Sequence, residues 1–275
     1  MSGGNDGRGD AVWQGEALSA AYLDGVRGAI PLAAEQIAIL TRLARAAQPR
    51  PRAILDLGCG DGILGHALRD AFAQAAPALV LADFSPAMLA AARARFTGGD
   101  GRMAAEVHLV DVDYASEGWP VAVSAPPLPA RYDVIVSGFS IHHQPDAGKR
   151  RVYAAIYDLL TPGGIFLNLE HVASASRWGE EQFEATFIDA LHRYHAPRGL
   201  TRQQVAADYY HRPDKAANQL APVETQLQWL RELGFQDVDC FFKIFELALF
   251  GGRRATTDDR RPTTAHSQQP SSTHP

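Results

Sequence analysis

The chain has 275 residues, 46% of them hydrophobic, and a formal net charge of −5; it can bury a substantial core in one domain with an insertion or tails, and its mild acidity excludes a nucleic-acid binder that relies on a strongly basic surface. Cys59 and Cys240 give neither a disulfide framework nor zinc-ligand spacing, so no metal is expected. The polar, glycine-rich start MSGGNDGRGD is no signal peptide and no apolar run spans a bilayer, so a cytoplasmic protein without a membrane partner is expected.

Residues 1–15 read as a flexible leader. Residues 253–275, rich in Thr, Ser, Pro and Gln, read as a disordered tail. Leu18, Tyr22, Val26 and Ile30 recur every fourth position and predict a helix over 16–30. Ile37, Leu40, Ala44 and Ala47 share a face and predict another over 33–47. PRPR at 49–52 breaks that pattern, and an alternation begins. Apolar strands are predicted at 53–57, 78–82, 106–110, 132–137 and 165–171. Helices are predicted at 63–73, at 86–96 with Ser85 as N-cap and Pro86 in the first turn, and at 149–160, stopped by TPGG. Strands that are apolar throughout, separated by helices, imply a parallel sheet covered on both faces.

Residues 173–222 interrupt the rhythm with polar helical segments at 180–194 and 201–210, an insertion or lid. A helix over 223–233 stops at Gly234. Strands at 237–242 and 245–250 follow, too close together for a parallel crossover, so the sheet should close with an antiparallel pair.

The stretch ILDLGCGDG (54–62) follows the first predicted strand. In open parallel sheets ligands bind beyond the carboxyl ends of the strands, and glycines there let backbone approach the ligand without a Cβ. The next strand closes at Asp83, where a carboxylate can accept both hydroxyls of a ribose. A nucleoside-bearing ligand is expected. The dinucleotide pattern G-x-G-x-x-G/A is broken, because its third position falls on Ile63.

LDLGCGDG (55–62) resembles the first motif of class I S-adenosylmethionine (SAM)-dependent methyltransferases. LVLADFSPAMLAAARAR (79–95), VHLVDVD (107–113), YDVIVSGFSIHHQPD (132–146) and LLTPGGIFLNLEHV (159–172) resemble the next four motifs. LRELGFQDVDC and FELALFGGR resemble the closing α–β–β unit. The resemblance spans residues 16–252. It implies a Rossmann-like α/β fold with a mostly parallel seven-stranded sheet, an antiparallel closing strand, helices on both faces and a helical lid.

The resemblance also implies a SAM site, with S-adenosylhomocysteine (SAH) as the product. Gly58, Cys59 and Gly60 would line methionine and ribose, and Asp83 would hold the ribose. Phe84, Met88, Asp113 (or, in another register, Asp111) and Tyr114 would stand around the adenine side. Ser137, Gly138 and Phe139 would face the methionine part. An N-terminal helix would bring Tyr22 and Arg27, the latter to the methionine carboxylate.

In-line methyl transfer needs alignment and, for a nucleophile that loses a proton, a general base. Candidates beyond strands four and five are His142, His143 and Glu170, with Tyr22 on the covering helix. Each has a structural alternative: the histidines open a helix before Pro145 and could cap or pack, and Glu170 ends a buried strand. The acceptor is expected to be a small molecule, with some similarity to enzymes of specialised metabolism that methylate heteroaromatic rings such as indoles. The alternatives are a tRNA or other macromolecular acceptor, nicotinamide-dependent oxidoreduction, and a non-catalytic scaffold. A monomer or homodimer is expected.

Overall fold

The computed structural model describes residues 9–23 and 27–256. Seven strands form one sheet: β1 (Ala53–Leu57), β2 (Ala78–Asp83), β3 (Val107–Asp111), β4 (Tyr132–Gly138), β5 (Leu160–His171), β6 (Phe235–Ile244) and β7 (Leu247–Arg254). Their order is β3-β2-β1-β4-β5-β7-β6. The first five run parallel, and β7 lies antiparallel between β5 and β6. This is the Rossmann-like, mostly parallel sheet with an antiparallel closing strand that the sequence implied. Strand order reverses between β1 and β4, so their carboxyl ends open a ligand crevice.

The helices are α1 (Glu16–Ala21), α2 (Ala33–Ala47), α3 (Ile63–Ala71), α4 (Pro86–Phe96), the short α5 (Trp119–Ala122), α6 (Asp146–Leu159), α7 (Arg177–His195), α8 (Arg202–Tyr210) and α9 (Val223–Glu232). β1 is buried at every position, as a central strand covered on both faces requires. One core holds Leu55, Leu57, Ile135, Phe166 and Phe250 against α6 and α9 residues such as Ile156 and Leu230. The opposite face holds Ile54, Leu79, Leu81, Val134 and Leu167 against Leu40 of α2, Leu68 of α3 and Ala92 of α4. A third, smaller cluster binds α7 to α8 through Phe183, Phe187, Leu191, Val205 and Tyr209, and takes in Ala29 and Leu247.

Several boundaries differ from expectation. The single helix predicted over 16–30 is α1 followed, after residues outside the described set, by a 3₁₀ turn at Arg27–Ala29. Glycines at 25 and 28 and Pro31 disfavour a continuous helix. Gly28 is also where Tyr194 of α7 leans in, since a Cβ there would stand 2.3 Å from the Tyr194 ring. TPGG does not follow α6 as a loop; it lies inside β5, which begins at Leu160. The segment Gly9–Gln14, read as leader, forms a 3₁₀ helix. β7 extends to Arg254, two residues past the expected domain end, and residues 257–275 of the expected tail lie outside the described residues. No helix among the described residues is long and apolar enough to cross a membrane.

Candidate active site

The glycine turn after β1 is shaped by what crowds it. Gly58 has φ +65°, and a Cβ on it would sit 2.0 Å from Ser140 Oγ. Side chains are thus excluded both by conformation and by space. The amides of Gly58 and Cys59 donate to the Ala82 carbonyl at 2.8 and 3.0 Å, fixing the turn to the end of β2. Asp83 completes the joint: its carboxylate accepts from Gly60 N at 2.8 Å and from Ser85 N at 2.9 Å. Burial pushes the Asp83 carboxyl above its ordinary value, against those two amide bonds. Burial, then the neighbouring Asp83, pushes the Cys59 thiol up, which disfavours its thiolate form.

Above this turn lies a cleft of about 520 Å³ lined by Gly58, Cys59, Gly60, Asp83, Phe84, Met88, Tyr114, Gly138, Phe139, Tyr22, Trp13, Ser85, Ser140 and His143. Most residues expected around the cofactor are therefore together. Three are not. Ser137 is fully buried within β4. Asp113 does not line the cleft; its carboxylate accepts from Ala115 N at 2.8 Å. The side chain of Arg27 lies outside the described set. Tyr114 lines the cleft and bonds Ser140 through its hydroxyl, 2.9 Å to the carbonyl and 2.8 Å to Oγ. Phe139 adopts φ +50°, a left-handed conformation held by the hydrogen bond its backbone N–H donates to Leu169 O at 2.7 Å. Strain of this kind in a non-glycine residue concentrates at functional sites.

A second cavity, of about 620 Å³, shares Trp13, Tyr22, Phe139 and His143 with the first. Its other walls are Ile30, Phe183, Phe187, Tyr209 and Leu247, with His142, His171, Arg212, Lys215 and Asn218 as polar lining. The insertion over 173–222 supplies much of it.

The expected base candidates meet here. His143 Nε2 accepts from the Trp13 indole N–H at 3.0 Å, and its Nδ1 lies 3.3 Å from the Ala217 carbonyl. An indole N–H only donates, so Nε2 carries a lone pair and the neutral ring holds its proton on Nδ1. His142 is buried, with Nδ1 2.6 Å from Glu170 Oε1 and its backbone N–H donating to Glu170 Oε2 at 3.0 Å. Burial holds His142 well below its ordinary value, and Asn218 bonds its side chain. Burial raises Glu170 to about 7. Glu170 is fully buried behind His142 and does not itself line either cavity. Its carboxylate also accepts from the His171 backbone N–H at 2.9 Å. The Tyr22 ring meets Trp13 edge-on at 5.2 Å.

Sequence reasoning missed Trp13, Arg212, Lys215, Asn218 and Lys149. Trp13 fell in a stretch dismissed for its composition. Lys149, fully buried, donates through Nζ to the carbonyls of Gln144 and Gln219, fastening the insertion to the histidine turn. A lysine in an otherwise amphipathic helix gives no signal of such a role.

Residues 55–166 match a family described as a methyltransferase domain. The chain is 24% identical over 240 residues to a carboxy-S-adenosyl-L-methionine synthase of Chromohalobacter salexigens, covering 85% of this chain and 80% of the relative. It is 36% identical over 123 residues to a trans-aconitate 2-methyltransferase of an Acidovorax species, covering 45% of this chain and 40% of the relative. Among solved structures, an O-methyltransferase family protein from Burkholderia thailandensis superposes with a TM-score of 0.63 at 16% identity, over 91% of this chain and 64% of that one. The chain thus spans less than two thirds of that structure and under half of the trans-aconitate enzyme. The matched residues carry the glycine turn, Asp83, Tyr114 and Phe139 of the first cleft, so the likeness to a methyltransferase domain falls on that cleft.

Proposed function

We propose that the chain transfers the methyl group of SAM to a small aromatic acceptor, a heteroaromatic ring of the indole type being the class its cavity suits best. One observation carries this reading: two cavities, one over the glycine turn and one walled by aromatic side chains, meet at Trp13, Tyr22, Phe139 and His143. Gly58 and Gly60 fit a ligand that touches backbone, and Asp83 offers a buried carboxylate to ribose hydroxyls.

SAM, when bound, supplies a sulfonium methyl open to in-line displacement, and the C–S electron pair stays on sulfur to give SAH. The protein contributes alignment and proton removal. Phe139, Phe183 and Phe187 hold the acceptor ring, and Tyr22 closes the cavity from the N-terminal side. His143 Nε2 takes the acceptor proton, for which Trp13 gives up its bond. Glu170 holds His142 beside His143, the two rings 3.9 Å apart.

The test is calorimetric titration of the full chain with SAH and, separately, with NAD, followed by mass spectrometry of heteroaromatic acceptors incubated with SAM. Micromolar SAH binding, no NAD binding and an acceptor heavier by one methyl group are expected. Binding of NAD without SAH overturns the reading.

A further inference from the structure

The acceptor cavity is aromatic along its length and cationic at one end. Arg212 and Lys215 line that end, and no carboxylate is among the described lining residues. Of the acids nearby, Glu170 bonds His142, Glu246 bonds His171 at 2.8 Å, and Glu184 pairs with Lys215 from outside the lining. The lining charges are therefore of one sign, in a chain whose net charge is −5. Lys215 is held in place, its Nζ 3.9 Å from the Tyr209 ring centroid and 2.9 Å from Glu184 Oε1.

Arg212 caps the 3₁₀ turn Pro213–Ala217 and Lys215 lies within it; just beyond the turn the chain is fastened to the base candidates. Gln219 N donates to His142 O at 3.0 Å, and Gln219 Nε2 donates to His143 O at 3.2 Å. Lys149 Nζ bonds the Gln219 carbonyl from below. The cationic end and His143 thus share one frame, and the distance between them is set by the fold rather than by the acceptor.

Building on the methyltransferase reading, we infer that the natural acceptor carries a carboxylate, received by Arg212 and Lys215 while its ring lies against Phe139, Phe183 and Phe187. An anion enters a partly apolar cavity only with a charged partner. Arginine offers a planar fork of donors matched to a carboxylate, and the ammonium of lysine adds a point charge. Anchoring at that end orients the ring relative to His143, so the same contact selects the acceptor and aims it.

The experiment uses the full chain saturated with SAH, titrated by calorimetry with indolepropionate and phenylpropionate and with the primary amide of each. SAH binding is measured first; wild type that binds no SAH sinks the methyltransferase reading and this inference with it. With SAH bound, at least one carboxylate is expected to bind about tenfold or more tighter than its amide, a difference of about 1.4 kcal/mol. Arg212→Gln and Lys215→Gln should each bring acid and amide together, with SAH affinity unchanged as the control for folding. Equal binding of acid and amide, no binding by either carboxylate, or a preference that survives both substitutions overturns the inference while leaving the methyltransferase reading intact.

Discussion

The two halves of the ligand cavity are built by different means. The cofactor half is made largely of backbone: a turn after β1 tied to the end of β2 by amide bonds to Ala82 and Asp83, over a sheet buried on both faces. The acceptor half is made of side chains from four distant stretches, around residues 13–30, 139–143, 183–187 and 209–218, together with His171 and Leu247. A backbone cradle tolerates few sequences, because a Cβ at Gly58 collides with Ser140. A side-chain wall can be rebuilt residue by residue. On the proposed function, the difference teaches that methyl donation is fixed by the fold, whereas acceptor choice sits in the insertion and the N-terminal segment.

Substitutions that strike one half and spare the other test this division. The largest effect is expected from His143→Asn, which should lower turnover about 10²–10⁴-fold, with SAH affinity changed only a few-fold by calorimetry. Turnover near wild type would remove His143 as the base. Asp83→Ala should weaken SAH binding about a hundredfold, the loss of two charge-assisted bonds to ribose, while circular dichroism stays native. Unchanged SAH affinity there would break the assignment of the cofactor half.

Lys149→Met removes the bonds that Nζ donates to the carbonyls of Gln144 and Gln219. About 1–3 kcal/mol for an unmet buried group corresponds to several degrees of Tm in a chain of this size, and acceptor KM should rise while SAH affinity holds. A Tm and KM like wild type would show that the insertion does not depend on this staple.

The smallest effect is a pH dependence. Burial raises Glu170 from 4.5 to about 7, so the folded state binds that proton more tightly than the unfolded one. Stability from this group is full below about pH 4.5 and declines as pH rises to about 7. Glu170→Gln lacks this titration. The Tm gap between wild type and variant should be widest near about pH 5 and narrower at about pH 8; a gap that widens with pH would contradict the buried, proton-retaining carboxyl.

The same division explains what the sequence could reveal. β1, β2, β4 and α4 were legible because apolar runs, the Ser85 cap and glycine punctuation act locally. The antiparallel end was legible because a short connection forbids a parallel one. Glu170 was found by its place at the end of β5, but its role behind His142 was not, since the bond to His142 spans 28 residues. Trp13 escaped because its partner, His143, lies 130 residues away. The continuous helix over 16–30 was a misreading of spacing, which cannot register that Tyr194 needs room at Gly28. Arg212 and Lys215 sit in a polar turn, and only the folded chain shows that this turn faces an aromatic cavity.

The bond from Trp13 to His143 gives the protein a built-in optical signal. A ligand that takes the His143 lone pair must release the indole, altering its surroundings and hence its emission. Trp119 and Trp229 are buried in the core, and Trp178 is exposed on the surface of α7. Neither environment is touched by the acceptor cavity, so the change in fluorescence on filling that cavity belongs to a single ring, and arrival at the base can be timed without a label.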